Sequence, residues 1–194
     1  IILRKRYWLY YALQFMSGAR RQIFVVFAGF LMVEKFEFTV AEISMLLIAN
    51  AAINVVFAPK IGRLIQRFGE RKSLIFEYIG LSLIFAGYAF VESSEFAVFL
   101  YIADHLFFSI AIALKTYFQK IADPADIASS SGVSFTINHI AAVFIPVVFG
   151  LVWLYSPSLV FLAGSGMAII SLILALNMPS KPALGNEVLL GKFT

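Results

Sequence analysis

Side chains that are charged or carry an amide, set inside long apolar runs, are where this sequence could do chemistry. Gln14, Ser17, Arg20, Arg21 and Gln22 lie in one such run, Asn50 and Asn54 in a second, Asp104, His105 and Lys115 in a third, and Ser134, Thr136, Asn138 and His139 in a fourth. A guanidinium or ammonium in such surroundings must meet a carboxylate, whether of the protein or of a solute, while a carboxamide offers a donor and an acceptor together. A His beside a carboxylate can exchange a proton near neutral pH. Enzyme chemistry has no support: the chain contains no GxxxxGK[ST], no HExxH and no GxSxG. There is no Cys, which excludes disulfides and thiolate metal sites. The two His residues stand in different runs with few carboxylates near them, so neither a metal nor a cofactor is expected.

Helical phase groups these residues further. Gln14, Ser17 and Arg21 are spaced i, i+3, i+7, one stripe of a helix, and Asn50 and Asn54 are spaced i, i+4. Asp104 and Lys115 are eleven residues apart, about three full turns, so they are expected on one face of the fourth helix. Ser131, Ser134 and Asn138 form a further stripe. Arg20 falls on the side of Met16, Phe24 and Phe27, so Arg21 is the stronger cavity candidate of the two. The cavity set read from the sequence is therefore Arg21, Arg20, Gln14, Asn50, Asn54, Asp104, His105, Lys115 and Asn138. Each has a structural alternative. Arg21 could serve only to pair with Asp104, the asparagines to bond helix to helix, and Lys115 to reach the membrane surface.

The elements that must position these residues follow from composition. Of the 194 residues 61% are hydrophobic and 13% charged, against about 45–50% and about 25% in a soluble domain. A water-soluble fold lacks the interior to hide this excess, whereas lipid tolerates it. Six runs approach the roughly 20 apolar residues that a span needs, at residues 7–33, 40–57, 73–91, 96–121, 130–154 and 159–176. Thr39 and Glu42 read as a capping box opening the second run, and Pro59 as its end, with residues 60–72 a basic connector. The third and sixth runs are poor in polar residues and are expected at the periphery, Glu77 lying near the cytoplasmic end of the third. Residues 1–178 form the six-helix unit and residues 179–194 a loosely ordered tail.

Loop charge sets the orientation. Arg4, Lys5, Arg6, Lys60, Arg63, Arg67, Arg71, Lys72, Lys120, Lys181 and Lys192 fall on one side of the expected membrane and only Lys35 on the other, beside Glu34, Glu37, Glu42, Glu92 and Glu95. Eleven against one is a positive-inside pattern that places both ends in the cytoplasm of a plasma or bacterial inner membrane. Such sorting favours topology over nucleic-acid binding as the reason for the net charge of +4.

The connector between the second and third runs carries a motif. Gly62, Leu64, Arg67, Gly69, Arg71 and Lys72 stand in an order that resembles the loop of the major facilitator superfamily, with the basic pair shifted by one and Gln66 where that family has Asp. The Asp is often lost from the second copy of the motif, so the resemblance is to a C-terminal half, and it covers the chain to about Leu176. It implies an all-α membrane protein of six transmembrane helices, one half of a facilitator-type bundle. The first, second, fourth and fifth helices would line a solute path, and the third and sixth would face lipid. The function it implies is secondary active transport of a small solute by alternating access.

The expected partners are a small-molecule solute, membrane lipid and a missing N-terminal half. An isolated half would self-associate through the first, second, fourth and fifth helices, or open. Arg20, Arg21 and Lys115 outnumber Asp104 within the spans, which favours an organic anion as solute. The alternatives are a non-transporting sensor or scaffold, and an exporter of lipophilic compounds.

Overall fold

The structure is a computed structural model and describes residues 3–192; residues 1, 2, 193 and 194 lie outside the described part. Six helices are long and apolar enough to cross a membrane: α1 Lys5–Phe36, α2 Val40–Phe68, α3 Glu70–Phe90, α4 Ser94–Ile121, α5 Pro124–Tyr155 and α6 Pro157–Leu176. In hydrocarbon every backbone N–H and C=O must find a partner within the segment, and the helix is the one open-ended element that provides this.

Local chemistry sets most boundaries. The Thr39 hydroxyl accepts the Glu42 N–H while the Glu42 carboxylate accepts the Thr39 N–H, which is the capping box expected at the start of α2. Ser93 caps α4 through the Phe96 N–H. Pro157 opens α6 at a position where its missing N–H costs nothing.

The end of α2 departs from the sequence reading. The helix does not stop at Pro59 but continues to Phe68, so most of the expected connector is helical. One proline removes a single rung of the ladder, and Ile61 and Ile65 beyond it pack into the apolar cluster around Tyr7, Tyr78 and Tyr117, which holds the continuation. The chain turns at Gly69 instead, with φ 82° and ψ 163°, a conformation essentially confined to glycine. Arg71 follows immediately and donates to the Leu176 carbonyl (2.9 Å) and the Ser180 hydroxyl, closing the C-terminal end of α6. Glu70 pairs with Lys120 of α4 at 2.6 Å. The motif residues around this turn thus tie the start of α3 to the C-terminal ends of α4 and α6, whereas Gly62, Leu64 and Arg67 belong to the last turns of α2.

Two apolar clusters form the core. One contains Phe24, Phe27, Phe85, Tyr88, Tyr101, Trp153 and Phe161, and the other Tyr7, Tyr10, Tyr11, Tyr78, Tyr117 and Phe118. The α3–α6 pair is packed most extensively. Gly164 permits it, since a Cβ there would sit 2.9 Å from the Phe85 ring, and the Ser165 hydroxyl donates to the Ser82 carbonyl. Gly166, two residues on, has open space beside it. The helices α2 and α5 are the least covered, with 6% and 17% of their apolar windows buried against 56% for α3.

The tail is not loose. Arg6 pairs with Glu187 at 2.6 Å, the Tyr117 hydroxyl donates to the Glu187 carbonyl, the Trp8 indole N–H donates to the Gly191 carbonyl, and Asn177 exchanges two hydrogen bonds with Leu190. Val188 is buried in the apolar cluster with Tyr7 and Tyr117. The sequence offered only Pro179, Pro182 and Gly185 as signals there, and these mark turns as readily as disorder.

Two outcomes follow. Gly69→Ala lowers the stability of the protein by about 1–3 kcal/mol in detergent thermal unfolding, while Gly62→Ala, at a helical position with open space around it, leaves it within about 0.5 kcal/mol. Glu187 is pushed up by burial but pulled further down by the Arg6 hydrogen bond and the Gly185 N–H, so its carboxyl lies below its usual value of 4.5. Its contribution to the tail contact is complete above that usual value and is lost as pH falls through the lowered one. Glu187→Gln therefore speeds proteolytic release of the tail about fivefold at neutral pH, and acidification below the lowered value does the same to the unchanged protein.

Candidate functional site

Two adjoining hollows open on the side of the bundle formed by α1, α2, α4 and α5. The first, about 570 Å³, is lined by Gln14, Ser17, Gly18, Arg21 and Gln22 of α1, Phe108, Lys115 and neighbours of α4, and Asn138 and His139 of α5. The second, about 580 Å³, is lined by Arg21, Phe24 and Gly29 of α1, Leu47, Asn50 and Asn54 of α2, and Tyr101, His105, Phe108 and Ser109 of α4. Arg21, Phe108, Ala111 and Ile112 border both, so the two are lobes of one groove. The guanidinium of Arg21 stands over the Phe108 ring, 5.6 Å from its centroid, at the junction.

The groove gathers Arg21, Gln14, Asn50, Asn54, His105, Lys115 and Asn138 from four helices. Close approach of α1 and α5 is set at Gly18, where a Cβ would lie 2.6 Å from the Asn138 Oδ1. The Ser109 hydroxyl donates to Asn54 Oδ1 at 3.0 Å, joining α4 to α2. His139 is held by its own helix, its Nδ1 2.9 Å from the Phe135 carbonyl. The Asn50 amide is buried at 2% exposure, and neither its nitrogen nor its oxygen has a hydrogen-bond partner.

Arg20 and Asp104 are not in the groove. Both are buried behind it, at 0% and 1% exposure, with Glu77 of α3 at 0%. Arg20 donates to the Ser171 hydroxyl of α6, lies near the Met167 carbonyl at 3.4 Å, and has its guanidinium over the Tyr78 ring, 4.8 Å from the centroid. Arg20 attracts both carboxyl groups, and neither has a hydrogen-bond partner among the described residues, so the attraction acts through space. This layer lies between the two core clusters. Its members follow or precede core residues of both: Leu13 and Ile23 bracket Arg20, and Tyr78 and Leu81 follow Glu77.

The expected pairing of Asp104 with Arg21 is replaced by attraction to Arg20, and the shared face of Asp104 and Lys115 does not exist. A tight turn at Ser109–Ala111 interrupts α4 between them. Three residues wound at three per turn add about 60° to the rotation of a regular helix, enough to swing Asp104 to the back while Lys115 stays at the groove. The sequence signal for Glu77 was present, as a carboxylate inside an apolar run, but its place near an expected boundary made it read as interfacial. Among the described residues no group of three or more His, Asp or Glu is placed to hold a metal ion.

The buried layer holds one cation against two carboxyl groups, which fixes the sign of a test. Arg20→Gln strips the only cation from it and destabilises the fold by about 3–5 kcal/mol. Glu77→Gln instead balances one cation with one carboxylate and costs much less. Thermal unfolding of the two variants in the same detergent gives the order.

Comparison with known proteins agrees with this architecture. No curated protein and no solved structure matches the chain. The profile of the Major Facilitator Superfamily matches residues 10–189, from the first turns of α1 into the docked tail. Six apolar helices, a turn motif between the second and third, and a match over nearly the whole length lead to one conclusion: the chain belongs to the Major Facilitator Superfamily, a family of membrane transporters, and is a multi-pass membrane protein.

Proposed function

We propose that this chain is a six-helix half of a secondary active transporter that moves a small organic anion by alternating access. The observation that carries the substrate sign is the groove's charge. Arg21 and Lys115 are its charged lining residues, with the weaker bases His105 and His139, and no Asp or Glu lines either lobe. Arg20, the third cation of the spans, has two carboxyl groups beside it and adds nothing to that balance. A groove with uncompensated positive charge in a region of low dielectric attracts and holds anions.

The sparsely covered faces of α2 and α5 support a second six-helix half as the structure that closes the groove. They expose Met45, Ile48, Val55 and Val56 on one helix and Val143, Phe144, Val147 and Leu151 on the other. Rocking of two such halves about a site near the bilayer midplane gives alternating access. Both ends of the segment face the cytoplasm in this reading, in a plasma or bacterial inner membrane, because the basic residues collect at the ends of the helices near Arg4, Arg71 and Lys120.

The test is uptake by the full-length protein in proteoliposomes, under an imposed pH gradient, with organic anions, sugars and lipophilic cations offered in parallel. Anions accumulate, and Arg21→Ala lowers their uptake by about tenfold to a hundredfold, the loss of one charge-assisted hydrogen bond, with the unfolding midpoint unchanged. Accumulation of lipophilic cations instead would replace the anion reading by that of an exporter, and flux of nothing would leave a sensor or scaffold.

A further inference from the structure

The Asn50 carboxamide is the one side chain of the groove that is fully enclosed and has no partner for either of its polar atoms. Buried polar groups are nearly always satisfied, and each one left open costs about 1–3 kcal/mol. Asn50 lies on α2 in the lobe walled by Phe24, Tyr101 and Phe108, with Arg21 at the border with the other lobe. Phe24 and Tyr101 hold each other, their centroids 4.8 Å apart, so this wall is a set of packed rings rather than mobile chains. Asn54, one turn along, already has its amide oxygen engaged by Ser109. Asn50 is therefore the open pair of the two.

A primary carboxamide presents an N–H and a C=O side by side in one plane. A carboxylate answers only the N–H, and an ether or ester oxygen does the same. The group that answers both at once is another planar donor–acceptor edge, as in a lactam or the edge of a heterocyclic base. Planarity also suits a slot between aromatic walls.

We propose that the solute is a flat, ring-containing anion that carries a lactam-like N–H/C=O edge, and that this edge docks on Asn50 while its anionic group faces Arg21. The inference rests on the anion-transport reading and narrows it. The edge sets specificity, since a site with a buried donor and acceptor rejects analogues that leave them unpaired.

The experiment measures binding and uptake by the full-length protein of three probes: a pyridone carboxylate with its lactam edge opposite the carboxyl, the N-methyl derivative of that compound, and benzoate. The pyridone carboxylate binds about tenfold to a hundredfold more tightly than the N-methyl derivative. In Asn50→Leu the two bind within about twofold of each other, and in Asn50→Asp the preference falls as well, because an acceptor pair no longer matches the edge. If Asn50→Leu fails to fold, the comparison of the two pyridones on the unchanged protein still decides. Equal binding of the two pyridones and benzoate overturns the inference and leaves anion transport standing. Binding of none of the three, with other organic anions still transported, overturns it too, whereas failure of every organic anion removes both readings.

Discussion

A guanidinium in the middle of an apolar bundle has to be answered by something, and the way Arg20 is answered constrains four of the six helices. It cannot reach water, so its charge is met by Glu77 on α3 and Asp104 on α4, and one of its nitrogens donates to Ser171 on α6. Any displacement of one helix against the others separates buried charges at low dielectric, where the cost is steep. The back of the bundle is thereby held as a unit, with the close α3–α6 contact at Gly164 beside it. The groove on the other side is free of this requirement. Its cation Arg21 rests over the Phe108 ring with no carboxylate partner, which leaves its charge to whatever enters.

The end of the bundle that carries Arg4, Arg71 and Lys120 is organised by a different set of contacts. Arg71 covers the exposed carbonyl end of α6, Lys120 meets Glu70, Arg4 meets Asp126 and Arg6 meets Glu187. These basic residues close the C-terminal end of α6, join α3 to α4 and anchor the tail. Orientation and end-capping favour the same side chains at the same level of the membrane, because a Lys or Arg at a helix C-terminus also meets the negative end of its dipole.

How much of this was legible in the sequence depends on the range of the cause. Six spans and the capping box at Thr39 follow from composition and local chemistry, and all are present. So is the grouping of Gln14, Ser17 and Arg21, since α1 is regular from Trp8 to Gln22. What failed were inferences that carried helical phase or helix breaking across an irregularity. Pro59 ended a helix on paper, but tertiary packing of Ile61 and Ile65 carried it on. The turn at Ser109–Ala111 broke the alignment of Asp104 with Lys115, and nothing in Ser-Ile-Ala announces a change of winding. The partner of Arg20 could not be read at all, because it lies on helices far away in the chain.

From Ile23 to Ala28 the first helix is wound as a wider π turn, directly after Arg20, Arg21 and Gln22. A π turn accommodates about one residue more than an α turn, which shifts what comes after it by roughly 100°. The helix is thus a shaft in two sections keyed at different angles: the polar section presents Gln14, Ser17 and Arg21 to the groove, and the aromatic section turns Phe27 against Trp153. A straight α-helix would have to choose between these alignments. Loss of one residue within the wide turn would re-key the shaft, rotating the groove's cation away while the apolar section kept its seat, so length at this point is as much a part of the site as the identity of Arg21.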